Sequence, residues 1–139
     1  MRVMAIDYGD VRTGIAVSDE TASLTGEAWV VVESGVEKLA KTIAAEASSR
    51  NVSAIVVGYP KNMDGSIGPR AEKSEQLAEA VRKLCGIAVE LWDERLTTMS
   101  ANRILTATGR RGKKRKEKID AVAASLILES YLGGLGNRA

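Results

Sequence analysis

Ser53–Gly58 (SAIVVG) is a short, continuous apolar run between two segments of helical periodicity. A strand with no polar face must be covered on both sides, as in a parallel sheet flanked by crossover helices. Upstream, Val36, Leu39, Ala40, Ile43, Ala44 and Ala47 recur at helical spacing and predict a helix over 35–49. Downstream, Leu77, Ala78, Val81, Leu84 and Cys85 form the apolar face of a helix opening at Pro69, where the missing N–H costs least. Cys85 therefore reads as a buried small hydrophobe. Ile87–Trp92 is the next strand, and it runs into Asp93-Glu94-Arg95. Strand, helix, strand, helix, strand implies parallel pairing with right-handed crossovers.

The remaining elements frame this unit. Met1–Ile6, Gly14–Ser18 and Ala28–Glu33 read as strands, the first two joined by a hairpin connection at Tyr8–Thr13. After Arg95, Thr97 or Thr98 caps a helix carrying Ala101, Ile104 and Leu105, closed by Gly109. A last helix over Glu117–Leu132 places Ile119, Val122, Ala123, Leu126, Ile127 and Ser130 on one stripe, and Gly133-Gly134 ends it. The expected fold is α/β: a mixed five-stranded sheet with helices on both faces. At 139 residues, without repeats or linkers, residues 1–139 make one domain.

Composition narrows the chemistry. The chain has no His and a single Cys. That removes Ser-His-Asp and Cys-His catalysis, His-ligated metals and any internal disulfide. Carboxylates without His or Cys suit hard cations, Mg²⁺ or Mn²⁺. No apolar run approaches the ~18 residues that span a bilayer. Asp7 follows only six residues, leaving no room for a secretory h-region. A cytoplasmic protein that avoids membranes is expected.

The net charge of +2 hides an uneven distribution. Arg110, Arg111, Lys113, Lys114, Arg115, Lys116 and Lys118 are seven cations in nine residues. Without them, 13 cations face 18 acidic residues. A dense basic segment on an acidic body is a footprint for nucleic-acid phosphates. The loop from Thr108 to Lys116 is expected to be mobile without ligand, because its charges repel one another.

Three acidic points stand at the ends of elements. Asp7 closes an apolar strand, where a carboxylate is disfavoured and where ligands gather in open α/β sheets. Asp93-Glu94 ends another strand. Alternation sends the two side chains to opposite faces, and spacing alone leaves open which one joins Asp7. Asp120 lies in the first turn of the last helix, at the edge of its apolar stripe. Each has a plainer explanation: a turn, a solvated salt bridge, or a helix dipole worth ~0.3–1 kcal/mol. Brought together they would repel, unless divalent cations sat among them. Such a centre hydrolyses phosphodiesters without His. Gly-flanked segments bearing Arg12 and Thr13, Lys61 and Asn62, and Arg70 beside a helix N-terminus could grip phosphates.

In combination these segments resemble the YqgF/RuvX family. The matching motifs are Asp7-x-Gly9-x-x-Arg12-Thr13-Gly14-Ile15-Ala16-Val17-Ser18-Asp19, Gly58-Tyr59-Pro60-Lys61-Asn62-Met63-Asp64-Gly65-Ser66 with Gly68-Pro69-Arg70-Ala71, Asp93-Glu94-Arg95-Leu96-Thr97-Thr98, and Ile119-Asp120-x-x-Ala123-Ala124 through Leu132. The resemblance covers almost the whole chain in order. It implies an RNase H-like fold related to Holliday-junction resolvases, and a nuclease that matures the 5′ end of pre-16S ribosomal RNA, with ribosomal precursor particles as partners. It also implies that the catalytic, metal-holding carboxylates are Asp7, Glu94 and Asp120. Arg12, Thr13, Lys61, Asn62, Arg70, Arg95, Lys113, Lys114, Arg115 and Lys116 are then the expected substrate contacts, to structured RNA or branched DNA. Tyr59 departs mildly from the pattern, which usually has Leu or another residue there.

Three other readings compete with pre-rRNA processing. One is resolution of DNA junctions, and another is a nucleic-acid-binding module without catalysis. In the third, Asp-x-Gly-x-x-x-x-Gly on a hairpin also resembles the phosphate-binding hairpin of actin-like ATPases and sugar kinases, which need two such domains.

Overall fold

The structure is a computed structural model that describes residues 1–22, 25–33, 35–62, 64–93 and 112–137, with backbone alone for 112–120 and 134–137. The elements are β1 (Arg2–Asp7), β2 (Arg12–Ser18), β3 (Thr25–Val32), α1 (Val36–Ser49), β4 (Val52–Tyr59), α2 (Pro69–Leu84), β5 (Ala88–Asp93) and α3 (Gly112–Asn137). The sheet order is β3-β2-β1-β4-β5. β1, β2 and β3 form the expected antiparallel meander, and β1, β4 and β5 are parallel. The sheet is therefore mixed and five-stranded.

Alternation along the strands divides the core in two. Met4 and Ile6 of β1, with Ile55 and Val57 of β4, pack against Leu39, Ala40, Ile43 and Ala47 of α1 and Leu77, Ala78 and Val81 of α2. Val3 and Ala5, with Val56, face Ala124, Ile127, Leu128, Tyr131 and Leu132 of α3. Helices thus cover both faces, as the run Ser53–Gly58 requires. Each large aliphatic side chain buried this way contributes about 1.5–3 kcal/mol.

α3 is also fastened to β5 by polar contacts. The Tyr131 hydroxyl donates to Glu90 Oε2 at 2.6 Å, and Trp92 Nε1 donates to Ser130 Oγ at 3.0 Å. The two rings meet edge to face, with centroids 5.4 Å apart. At the far edge, Arg50 pairs with Glu46 and Glu27 and lies 4.2 Å from the Trp29 ring centroid, tying α1 to β3. Those carboxylates raise its pKa above the usual guanidinium value.

Several boundaries differ from expectation. β2 begins at Arg12 and β3 at Thr25, because the ladder continues through Arg12↔Val32, Thr13↔Val31 and Ser18↔Thr25. Pairing overrides the weak strand preference of Gly26 and Glu27. α3 begins at Gly112 rather than Glu117 and passes through Gly133-Gly134 to Asn137. Lys113–Lys116 are thus helical, not part of a loop, since Lys and Arg are good helix formers. A glycine costs a formed helix only about 1 kcal/mol, so two do not halt it. The helix expected from Thr97 or Thr98 to Gly109 lies outside the described residues. Cys85 is half-buried at the end of α2, with its thiol against the Val81 carbonyl.

Two substitutions test how α3 is held. Ile127→Ala, at a fully buried position, should lower unfolding free energy in urea by about 2–5 kcal/mol. Tyr131→Phe should lower it by about 1 kcal/mol. A loss well under 1 kcal/mol for Ile127→Ala would show that α3 is not part of the core.

Candidate active site

Because β1, β4 and β5 run parallel, their C-terminal ends lie along one sheet edge. Asp7, Tyr59 and Asp93 are the last residues of the three strands, and Tyr59 pairs with Asp93 in register. Antiparallel β2 starts at the same edge, with Gly14 opposite Asp7. Asp7 is half-buried. It has the parity of Val3 and Ala5, which places it on the face covered by α3.

Asp93 has the opposite parity. It continues the row of Val89 and Leu91, which pack toward α1 and α2. Glu90 and Trp92 form the other row, and both reach α3 through Tyr131 and Ser130. Asp7 and Asp93 therefore belong to opposite faces of the sheet. Glu94 and Arg95 lie outside the described residues. Asp120 is on α3, and its backbone position precedes Ala124 by one helical turn, in the stripe that continues through Ile127, Leu128 and Tyr131. Among the described residues, no three carboxylates gather into a metal-binding group; two of the three expected ligands fall outside that description.

The hairpin tip between β1 and β2 is fixed by close contacts. A Cβ on Gly9 would stand 2.1 Å from the Arg12 carbonyl oxygen, so only glycine fits there. Lys73 of α2 pairs with Asp10 at 3.2 Å, and Arg70 reaches the Tyr8 carbonyl at 3.4 Å. The Lys73–Asp10 pair is exposed and contributes at most about 1 kcal/mol. Its effect is positional: cations of α2 stand beside the tip that follows Asp7. Lys73 was missed in the sequence, although its i,i+3 relation to Arg70 puts both on one helix face.

The loop after β4 supplies the other expected contacts. Asn62 Nδ2 donates to Ser66 Oγ at 2.9 Å, and the Gly65 amide donates to the Asn62 carbonyl at 2.8 Å. Gly65 has φ 88°, in the left-handed region that glycine adopts freely. Asn62 thus shapes its own loop. Lys61 is half-buried, with Nζ 5.6 Å from the Tyr59 ring centroid. The Tyr59 hydroxyl donates to Glu75 Oε1, and this carboxylate pushes the tyrosine pKa up to about 12.

Arg12, Lys61 and Arg70 share the edge with Asp7. Thr13 does not join them. It is fully buried in the row of Ile15 and Val17, facing α1 and α2, and its hydroxyl has no hydrogen-bond partner among the described residues. Strand alternation, which separates Thr13 from Gly14, removes it from the Asp7 face. Lys113–Lys116 occupy the start of α3.

Comparison with known proteins agrees with this architecture. A protein of Halothermothrix orenii named "Putative pre-16S rRNA nuclease" is 43% identical over 132 residues, covering 95% of this chain and 94% of its own. One of the same name from Geobacillus kaustophilus is 44% identical over 135 residues, covering 95% and 97%. Among solved structures, Thermus thermophilus RuvC in complex with a Holliday junction substrate aligns with a TM-score of 0.61 at 16% identity, over 96% of each chain. The fowlpox virus resolvase bound to Holliday junction DNA gives 0.58 at 12% identity, over 97% of this chain and 99% of that one. At such identities these two show the fold alone: the RNase H-like sheet of the resolvases. The family model described as "RuvX: Holliday junction resolvase" matches residues 1–134, and with relatives above 40% identity along the same length, this chain belongs to the RuvX family.

Proposed function

We propose that this protein is a nuclease that hydrolyses nucleic-acid phosphodiester bonds at the edge where β1, β4 and β5 end, and that its substrate is the 5′ leader of pre-16S rRNA within ribosomal precursor particles. The observation that carries this reading is the setting of Asp7. It closes the central strand on the face covered by α3, in a chain whose relatives above 40% identity are named for pre-16S rRNA cleavage.

Asp7, Glu94 and Asp120 are the carboxylates we assign to the centre. Alternation argues against Asp93, which belongs to the α1/α2 face opposite Asp7, and the Asp93-Glu94-Arg95 motif then leaves Glu94 as the acid we assign. The stripe of α3 supports Asp120, because position 120 extends the sheet-facing series one turn toward the N-terminus. Three oxygen donors suit Mg²⁺ or Mn²⁺. Such a cation would supply Lewis acidity toward a phosphoryl oxygen. The protein orients the phosphodiester: Arg12, Lys61 and Arg70 grip the strand near the scissile bond, with Arg95 and Lys113, Lys114, Arg115 and Lys116 extending the grip. Asn62 contributes by shaping the loop that carries Lys61. Resolution of four-way DNA junctions is the second reading, favoured by the family description.

Cleavage of matched substrates by the same preparation tests the proposal. With Mg²⁺ or Mn²⁺, wild type should cut a pre-16S 5′-leader RNA more efficiently than a four-way junction, and Asp7→Asn should reduce cleavage by about a hundredfold or more. Preference for the junction would install the second reading. Binding of both substrates with cleavage of neither would leave a binding module.

The basic run makes a separate prediction. If about four of its cations contact phosphates, log K for duplex DNA should fall against log salt with a slope near −3.6. Affinity would drop on the order of a hundredfold between 50 and 200 mM salt. Replacing Lys113, Lys114, Arg115 and Lys116 with Ala should flatten the slope and spare metal binding. An unchanged slope would move the phosphate grip to Arg12, Lys61 and Arg70.

A further inference from the structure

β4 ends at Tyr59, and the chain turns at once. Pro60 fixes φ near −65°, and the Lys61 amide donates to the Tyr59 carbonyl at 2.9 Å. This turn brings the Lys61 ammonium 5.6 Å from the Tyr59 ring centroid, within the ~6 Å reach of a cation–π contact. A lysine on a loop otherwise spreads its charge over many rotamers. Tyr59 is only 8% exposed, and its hydroxyl is held by Glu75 of α2. Ring and lysine are consequently fixed from opposite ends, one by a carboxylate on α2 and the other by the turn.

Tyr59 itself does not reach the face on which Asp7 lies. It has the parity of Ile55 and Val57, on the side of α1 and α2. Its contact with Lys61 links it to a ligand at the Asp7 edge. We infer that Tyr59 is a positioning residue: its ring, anchored by Glu75, holds the Lys61 ammonium at the C-terminal end of β4, where it meets a nucleic-acid phosphate. The inference rests on the nuclease reading for the identity of the ligand, but not for the contact between ring and lysine. A leucine at this position would fill the buried site without offering a π face.

A double-mutant cycle on the full chain separates positioning from folding. Tyr59→Leu should raise KM for a four-way DNA junction or the 5′-leader RNA by about two- to fivefold, the size of an exposed cation–π contact. The kcat should stay within about twofold. Tyr59→Phe, which keeps the ring but loses the hydrogen bond to Glu75, should fall between wild type and Tyr59→Leu. In a Lys61→Ala background, Tyr59→Leu should have no further effect. Losses that multiply instead would overturn the inference, as would a Tyr59→Phe variant as impaired as Tyr59→Leu. NMR gives a readout free of substrate: the Lys61 Hε resonances should be ring-current shifted in wild type and Tyr59→Phe, but not in Tyr59→Leu. No shift in wild type refutes the contact. A clear shift in a protein that neither binds nor cuts nucleic acid supports the contact and refutes the nuclease reading.

Discussion

The parallel ladder between β1 and β4 organises the molecule. Residues Val3–Ile6 pair with Ala54–Val57, and both strands are apolar on both faces. Such a pair cannot face water on either side, so α1 and α2 must cover one face and α3 the other. Parallel pairing also sends both C-terminal ends to one edge, and β5 adds a third. The burial that stabilises the fold is therefore the same arrangement that gathers Asp7, the loop after β4 and the end of β5.

Strand parity then divides this edge between structure and chemistry. On the α1/α2 face lie Thr13, Tyr59 and Asp93; two are buried outright, and Tyr59 is held by Glu75. On the α3 face lies Asp7, in the row of Val3 and Ala5. Cations approach from the rim: Arg70 and Lys73 from α2, Arg12 from β2 and Lys61 from the loop. An acidic point under α3 with a cationic rim is a physically sensible setting for a polyanion whose backbone must be brought to carboxylates.

Much of this was legible in the sequence. The two-faced apolar run predicted β4, and the spacing of Leu39, Ile43 and Ala47 predicted α1 to within a residue at its start. The parallel unit followed from their order. Less legible were features set by partners far along the chain. β2 and β3 are longer than their compositions suggest, because each residue added to one is paired by the other. α3 begins within the basic run, because Lys and Arg favour helix even where their charges repel. Asp7 was visible as an acid ending an apolar strand. The burial of Thr13 was readable in principle from its alternation with Ile15 and Val17, but its place in a hydroxyl-bearing turn motif obscured it. Lys73 was missed because its partner Asp10 is distant in sequence, and no motif joins them.

The central proposal is that Asp7, Glu94 and Asp120 together hold a divalent cation and that Asp93 takes no part. Titration of Mn²⁺ by electron paramagnetic resonance, in the absence of nucleic acid, tests it most directly. Asp7→Asn, Glu94→Gln and Asp120→Asn should each weaken Mn²⁺ binding strongly, while Asp93→Asn should bind as wild type does. Loss of binding in Asp93→Asn with retention in Glu94→Gln would contradict the account.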